Sequence, residues 1–164
     1  FGPCLPGAEA WPGTNKFPYQ TPSESLLIGA RNVPPVSGGG AWVCSLPEHW
    51  IFQGTGMKAG ESTPGLVGFE YNGLPAALPG LEVVSPGPTS TGPKGKKGEY
   101  AATIYPGPKR NFVFNAATIW WGDALSAPPG YLRPKVYTEP PGPDARAQRI
   151  TRNILERIQQ SIPI

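Results

Sequence analysis

Few side chains in this sequence can carry out acid–base or metal chemistry. His49 is the sole histidine among 164 residues, and the 11 carboxylate side chains are dispersed along the chain. A zinc site of the usual histidine and cysteine type therefore lacks ligands, and we predict no metal site. His49, with an ordinary pKa near ~6.5, and Glu70 are the two candidates for acid–base catalysis.

Glu70 lies in the apolar run GLVGFEYN, residues 65–72. If this run is a strand, Glu70 points to the same side as Leu66, near the interior of a sheet. A carboxylate in such a place is either paired or functional. For Glu70 a catalytic and a structural role both stay open, whereas His49, at a predicted strand start, is more often a hydrogen-bonded structural residue than a general base. Asp123 has a weaker case of the same kind, as a turn or cap residue.

The glycine-rich stretch GTGMKAGES, residues 54–62, does not have the spacing of a phosphate-binding loop. A P-loop has a glycine, four further residues, and then Gly-Lys-Ser/Thr leading into a helix. Here Gly60 is followed by Glu61 and then by STPG, which is a poor helix start. The glycines predict tight turns instead.

The chain contains two cysteines, Cys4 and Cys44. This number predicts one disulfide that ties an N-terminal arm to the strand AWVCSL, with two free thiols as the alternative. A disulfide is typical of a secreted, extracellular protein. The sequence starts at Phe1 with no charged and apolar leader, which suggests a processed or excised product.

Charge and hydropathy exclude two classes of partner. The net charge of +3 and the pI near 9.0 are too weakly basic to indicate a nucleic-acid-binding protein. No apolar run approaches the ~20 residues of a membrane-spanning helix. The 22 glycines and 23 prolines accompany 17 aromatic residues, so they predict turns between short buried strands.

The secondary-structure elements that the sequence predicts around these residues indicate one domain of α+β or α/β class. We expect a central β-sheet of about 5–7 short strands, a C-terminal amphipathic helix and long Pro/Gly-rich loops. The predicted order is an irregular arm (1–40, with a short helix at Pro22–Ala30), a sheet-forming core (41–125) that contains a flexible loop (85–98), and a helix (144–160). Predicted strands cover 41–46, 49–54, 65–72, 81–85, 100–105 and 111–121, and the last of these, apolar on both faces, is expected to be central.

The C-terminal helix has the clearest pattern. Asp144 follows PPGP as an N-cap, and an apolar residue recurs every three or four positions. The predicted buried face contains Ala147, Ile150, Ile154 and Ile158. The arginines at 146, 149, 152 and 157 are expected to form a solvated face.

Three segments resemble the C-terminal part of the N,N-dimethylformamidase large-subunit family. They are HWIFQGTGMKAGESTPGLVGFEYN, FVFNAATIWWGDAL and DARAQRITRNILERI, which occur in this order between about residues 38 and 160. The resemblance implies an α/β domain of glutamine-amidotransferase-like type. Longer members hydrolyse small amides with an iron ion held by two tyrosines and a glutamate, in a segment upstream of the similar region.

The resemblance implies that Glu70 corresponds to an acid near the family's site, with His49 close to it in the chain. None of the six tyrosines stands in a motif that matches an iron ligand, so no cofactor is predicted unless an upstream segment supplies iron. We therefore expect a small secreted basic protein that acts by binding, of defence or cytotoxic type. The alternative is an amidohydrolase of small amides, or an excised C-terminal part of one with a companion chain.

Overall fold

A computed structural model of the chain describes residues 24–35, 37–109, 111–132 and 142–160. Its elements, in chain order, are α1 (Ser25–Ile28), β1 (Ala30–Arg31), β2 (Gly40–Val43), a 3₁₀ helix (Trp50–Phe52), β3 (Ser62–Val67), β4 (Leu74–Pro75), β5 (Glu82–Ser90), β6 (Lys97–Pro106), β7 (Phe112–Asn115), a second 3₁₀ helix (Trp121–Ala124) and α2 (Ala145–Gln159).

The described strands form three small sheets, with the orders β1-β4, β2-β3 and β5-β6-β7. The prediction of one central sheet of five to seven strands is therefore wrong. All described pairs of strands are antiparallel, which favours the α+β form of the prediction over the α/β form. The described part is mostly sheet, with one long helix at its C-terminal end.

Two prolines explain why β2 and β5 belong to different sheets although they lie side by side. Gly39 and Ser90 exchange two backbone hydrogen bonds of 2.9 and 3.0 Å, so the Ser90 N–H faces β2. With the two-residue period of a strand, the nitrogens of Pro88 and Pro86 face the same way and have no hydrogen to donate. The backbone hydrogen bonds between β5 and the β2 side therefore end there.

Side chains bridge the gap that the prolines leave. The Val43 N–H donates to the Tyr100 hydroxyl at 2.7 Å and to Ser85 Oγ at 3.1 Å. Tyr100 reaches β2 by crossing over Gly87, where an added Cβ would lie 2.8 Å from the tyrosine ring. Burial raises the pKa of Tyr100 to about 12, so its hydroxyl is neutral at ordinary pH. The two sheets are thus joined through hydroxyl groups.

Residues 85–98, predicted as a flexible loop, form most of the β5–β6 hairpin. The pairing runs without a break from Ser85 opposite Ala102 to Ser90 opposite Lys97, and only the turn lies outside it. Ser85 and Thr89 are buried, with 0% and 2% of their surface exposed. The prediction failed because small residues and prolines carry no apolar period, although they fit a close contact between strands.

Two of the predicted strands are also different in the structure. Residues 49–54 contain the 3₁₀ helix Trp50–Phe52, and the predicted strand 111–121 is limited to β7, Phe112–Asn115. β7 is at the edge of its sheet, and β6 is central. Two residues beyond the end of β7, Ala117 adopts a left-handed conformation, with φ of 58°, that a regular strand does not contain.

The core packs around Trp42 of β2. Its ring contacts those of Phe52 and Trp121, with centroids 5.9 and 5.2 Å away, and its indole N–H donates to the Ala116 carbonyl at 3.0 Å. α2 closes one side of this core with Ala147 and Ile150, each 1% exposed. The predicted N-cap is confirmed, since Asp144 Oδ1 accepts from the Arg146 N–H at 2.8 Å.

Most arginines of α2 contact the protein instead of forming the predicted solvated face. Arg146 Nη1 donates to the Ser62 carbonyl at 2.9 Å, and Arg149 Nε donates to the Gln53 carbonyl at 3.1 Å. The guanidinium carbon of Arg157 lies 4.5 Å from the centre of the Trp50 ring. Ile158, predicted to be buried, is 56% exposed. α2 is therefore attached by polar contacts as well as by its apolar face.

Candidate functional site

Glu70 lies on a short connector between β3 and β4, residues 68–73. Gly68, with φ of 154°, ends β3 in a conformation that favours glycine. After it the burial no longer alternates as in a regular strand: Phe69 and Glu70 are both exposed, whereas Tyr71 is 2% exposed. The prediction that Glu70 lies near the interior of a sheet is therefore wrong.

Backbone hydrogen bonds hold the connector on two sides. The Gly38 N–H donates to the Phe69 carbonyl at 3.0 Å, and Ser37 is the bridge partner of Glu70. Toward its end, Asn72 accepts from the Ala101 N–H at 2.9 Å. Gly73 approaches β6 so closely that an added Cβ would lie 2.3 Å from the Glu99 carbonyl oxygen. Nothing larger than glycine fits there without a movement of the backbone.

The loop that follows β7, residues 115–120, holds the connector on a third side. Asn115 Nδ2 donates to Asn72 Oδ1 at 3.2 Å, and Asn115 Oδ1 accepts from the Ala117 N–H at 2.8 Å. Ala117 is the one non-glycine residue of the described part with a positive φ. Such a conformation costs roughly 1–2 kcal/mol and persists where the surroundings impose it, often at functional sites.

The side chain of Glu70 contrasts with this fixed backbone. Within the described residues, its carboxylate makes no hydrogen bond and no ion pair. Phe69 and Ile119, which are 38% and 57% exposed, provide apolar surface on the connector and on the loop that pairs with it. A carboxylate in this position can accept a proton or a hydrogen bond from a molecule outside the described part.

His49 lies elsewhere, at the start of the first 3₁₀ helix. Its Nδ1 accepts from the Ile51 N–H at 3.4 Å, and its Nε2 lies 3.9 Å from Glu82 Oε1. Burial lowers the pKa of His49, opposed by the charge of Glu82 and reinforced by that of Arg157. Neither a hydrogen bond nor an ion pair joins His49 to Glu70 among the described residues. The contacts of His49 are those of a neutral helix cap.

Three other predicted residues have the following positions. Asp123 is 9% exposed within the second 3₁₀ helix, and its Oδ1 has no hydrogen-bond partner in the described part. Cys44 is a free and fully buried cysteine whose thiol pKa is raised, first of all by burial. Cys4 lies outside the described residues, so the disulfide stays a prediction.

The described residues do not fit the iron site that the resemblance implies, with two tyrosines and a glutamate as ligands. They contain no group of three or more His, Cys, Asp or Glu side chains that could hold a metal ion. The hydroxyls of Tyr71 and Tyr105 donate at 2.6 Å to the carbonyls of Pro35 and Leu27, and that of Tyr100 bonds Val43. These three tyrosines are thus committed to the backbone, and we derive no metal-dependent step.

Comparison with known proteins identifies the family. A family model described as N,N-dimethylformamidase beta subunit-like, C-terminal, matches residues 5–136, which is most of the 164-residue chain. The chain belongs to this family. Neither the curated proteins nor the solved structures contain a significant match. The matched region of the dimethylformamidase-like chain begins before the predicted similarity at residue 38 and ends before α2.

Two of the three segments that carry the resemblance contact each other through the residues that follow Glu70. The Asn72 N–H of the connector donates to the Ala117 carbonyl of the following segment at 3.4 Å, and Tyr71 is the bridge partner of Thr118. The third segment, in α2, packs on the first 3₁₀ helix, where Asn153 Nδ2 donates to the carbonyls of Ile51 and Gln53 at 2.9 and 2.8 Å.

Sequence reasoning missed Asn115 and Thr118, which hold the connector, and Glu82, which faces His49. The sequence had placed Asn115 and Thr118 inside one long strand, where a polar residue among apolar ones carries no signal. The dipeptide Asn-Gly at 72–73 is a turn signal that marks the end of the connector.

Two further findings concern the described part as a whole. A groove of about 440 Å³ runs beside α2, lined by Leu125, Gln148 and Leu155 among others, and neither Glu70 nor His49 lines it. No described helix has the length and apolar composition that a membrane crossing requires.

Proposed function

We propose that this chain is the C-terminal part of an amide hydrolase for small amides, in which Glu70 supplies a carboxylate to the reacting centre. The observation that carries the proposal is the combination of a backbone held on three sides with an exposed carboxylate that no described residue pairs. A carboxylate that stabilises a fold accepts hydrogen bonds from it, and Glu70 accepts none from the described residues. Membership of the dimethylformamidase-like family supports the amide as substrate.

The proposed step is general base catalysis. Glu70 accepts a proton from a water molecule, the resulting hydroxide adds to the amide carbonyl carbon, and the proton passes to the amine nitrogen as the C–N bond breaks. The products are a carboxylic acid and an amine. We propose that the groups that stabilise the oxyanion lie outside the described residues.

The second candidate, a secreted binding protein of defence or cytotoxic type, rests on the Cys4–Cys44 disulfide and the extracellular location that it implies. The free, buried state of Cys44 gives this candidate no support from the geometry. Membership of the dimethylformamidase-like family favours the hydrolase.

The test is hydrolysis of small N-substituted amides by the full-length protein and its Glu70→Gln variant. We expect the variant to lose activity by about 100-fold or more, in the range of general base catalysis, while its melting temperature is unchanged. Glu156→Gln, at an exposed position of α2, is the matched control and should retain parental activity. Parental activity in Glu70→Gln, or a parent that hydrolyses no amide, would contradict the proposal.

A further inference from the structure

Thr118 makes more hydrogen bonds than a partly exposed threonine usually does. Its Oγ1 accepts from the N–H groups of Trp120 and Gly68 at 3.1 and 3.3 Å. It also lies 2.8 Å from the Leu66 carbonyl oxygen and 3.0 Å from that of Gly68, and its single proton is donated to one of them. One hydroxyl thus ties the end of β3 and the start of the connector to the loop after β7.

The contacts of Thr118 lie on both sides of Glu70 in the sequence. The hydroxyl binds the peptide groups of Gly68, two residues before Glu70, and the backbone of Thr118 is bridged to Tyr71, the residue after it. The hydroxyl restrains Gly68, whose own backbone has the wide choice of conformations of a glycine. The position of Glu70 therefore depends on Thr118 more than on its own side chain.

We propose that Thr118 is a positioning residue for Glu70 and that its hydroxyl sets the direction in which the carboxylate is presented. This inference rests on the proposed hydrolase function. Thr118 touches neither the substrate nor the reacting atoms; it acts through the backbone of residues 68–71. A catalytic carboxylate must be placed to within a fraction of an ångström, because a displacement of about 1 Å can lower the rate by roughly 100-fold.

The test compares Thr118→Val, which removes the hydroxyl and keeps the shape, with Thr118→Ser, which keeps the hydroxyl. In the full-length protein, Thr118→Val should lower kcat for amide hydrolysis by about tenfold or more with little change in KM, since the ground-state contacts of the substrate remain. Thr118→Ser should stay within about threefold of the parent. Amide hydrogen exchange of residues 69–71 should accelerate in Thr118→Val and not in Thr118→Ser.

The outcomes distinguish the positioning role of Thr118 from the hydrolase function of Glu70. Loss of activity in Glu70→Gln together with parental kcat in Thr118→Val would overturn the positioning role alone. Equal loss in Thr118→Val and Thr118→Ser would overturn the role of the hydroxyl. An inactive parent, or an active Glu70→Gln variant, would overturn the hydrolase itself. If Thr118→Val does not fold, Thr118→Ala removes the same hydroxyl without placing a second methyl group against the backbone, and the same comparison applies.

Discussion

At the scale of single residues, two side chains predicted to act together have different environments. Glu70 is exposed, with no partner among the described residues, and His49 is largely buried, with Glu82 on one side and the Ile51 N–H on the other. The sequence suggested a pair because the two residues are only 21 positions apart, on either side of one glycine-rich loop. That loop takes tight turns at Gly54 and Gly60, both with positive φ, which confirms the predicted use of these glycines as turn residues.

The cap made by His49 predicts a dependence of stability on pH. Its folded-state pKa is lowered, so the neutral ring stabilises the fold above the unfolded pKa of ~6.5, and this contribution is lost as the pH falls toward the lower folded value. Protonation of Nδ1 also removes the acceptor for the Ile51 N–H. We expect the parent to lose more stability than His49→Asn between pH 7 and pH 5.

Asparagine is the matched replacement because it accepts the same N-cap hydrogen bond and does not titrate. Urea unfolding at the two pH values measures the difference. Equal loss of stability in parent and variant would show that His49 is not the group responsible.

At the scale of elements, the backbone of the connector, residues 68–73, lies in close contact with the backbone of β6. Gly73 lies against the Glu99 carbonyl of β6, so Gly73→Ala must move one backbone relative to the other. We expect the free energy of unfolding to fall by about 1–3 kcal/mol, the usual cost of overpacking. Gly122→Ala is the control, because its added Cβ meets nothing within 4 Å and its φ is negative or extended. Thermal or urea unfolding of both variants gives the comparison, and equal stabilities would contradict the close approach.

The elements also show how far the sequence leads. α2 was predicted within one residue at its start because a capping residue and a 3.6-residue period identify a helix locally. β6 was predicted because its apolar residues are consecutive in the sequence, and in the structure these residues are largely buried. The connector was not predicted, since its conformation depends on Gly68 and on contacts with Ser37, Ala117 and Ala101, which are distant in the chain. Contacts of that kind leave no local pattern.

At the scale of the whole molecule, the β5–β6 hairpin joins the sheets. β5 pairs with β6 on one edge and contacts β2 on the other, and the network of Ser85, Tyr100 and Val43 connects all three. The hairpin therefore takes part in the fold, whereas the sequence predicted a flexible loop at residues 85–98.

Replacing residues 85–98 by a short Gly-Ser linker should abolish cooperative unfolding, because it removes most of the hairpin pairing and two buried side chains. Shortening the turn at residues 92–95 alone should leave the melting temperature within a few degrees, since loop closure depends weakly on length. Calorimetry distinguishes the two variants. A cooperative transition at the parental temperature in the linker variant would show that the hairpin is dispensable.

The central claim is that the Glu70 carboxylate has no structural role and is free to act on another molecule. The most direct measurement is the free energy of unfolding of Glu70→Gln relative to the parent, by urea at neutral pH. The exposed and unpaired side chain predicts a change within about 0.5 kcal/mol, as for a surface substitution. A loss of about 1–3 kcal/mol, the cost of removing a charged hydrogen-bond acceptor that the fold uses, would contradict the account.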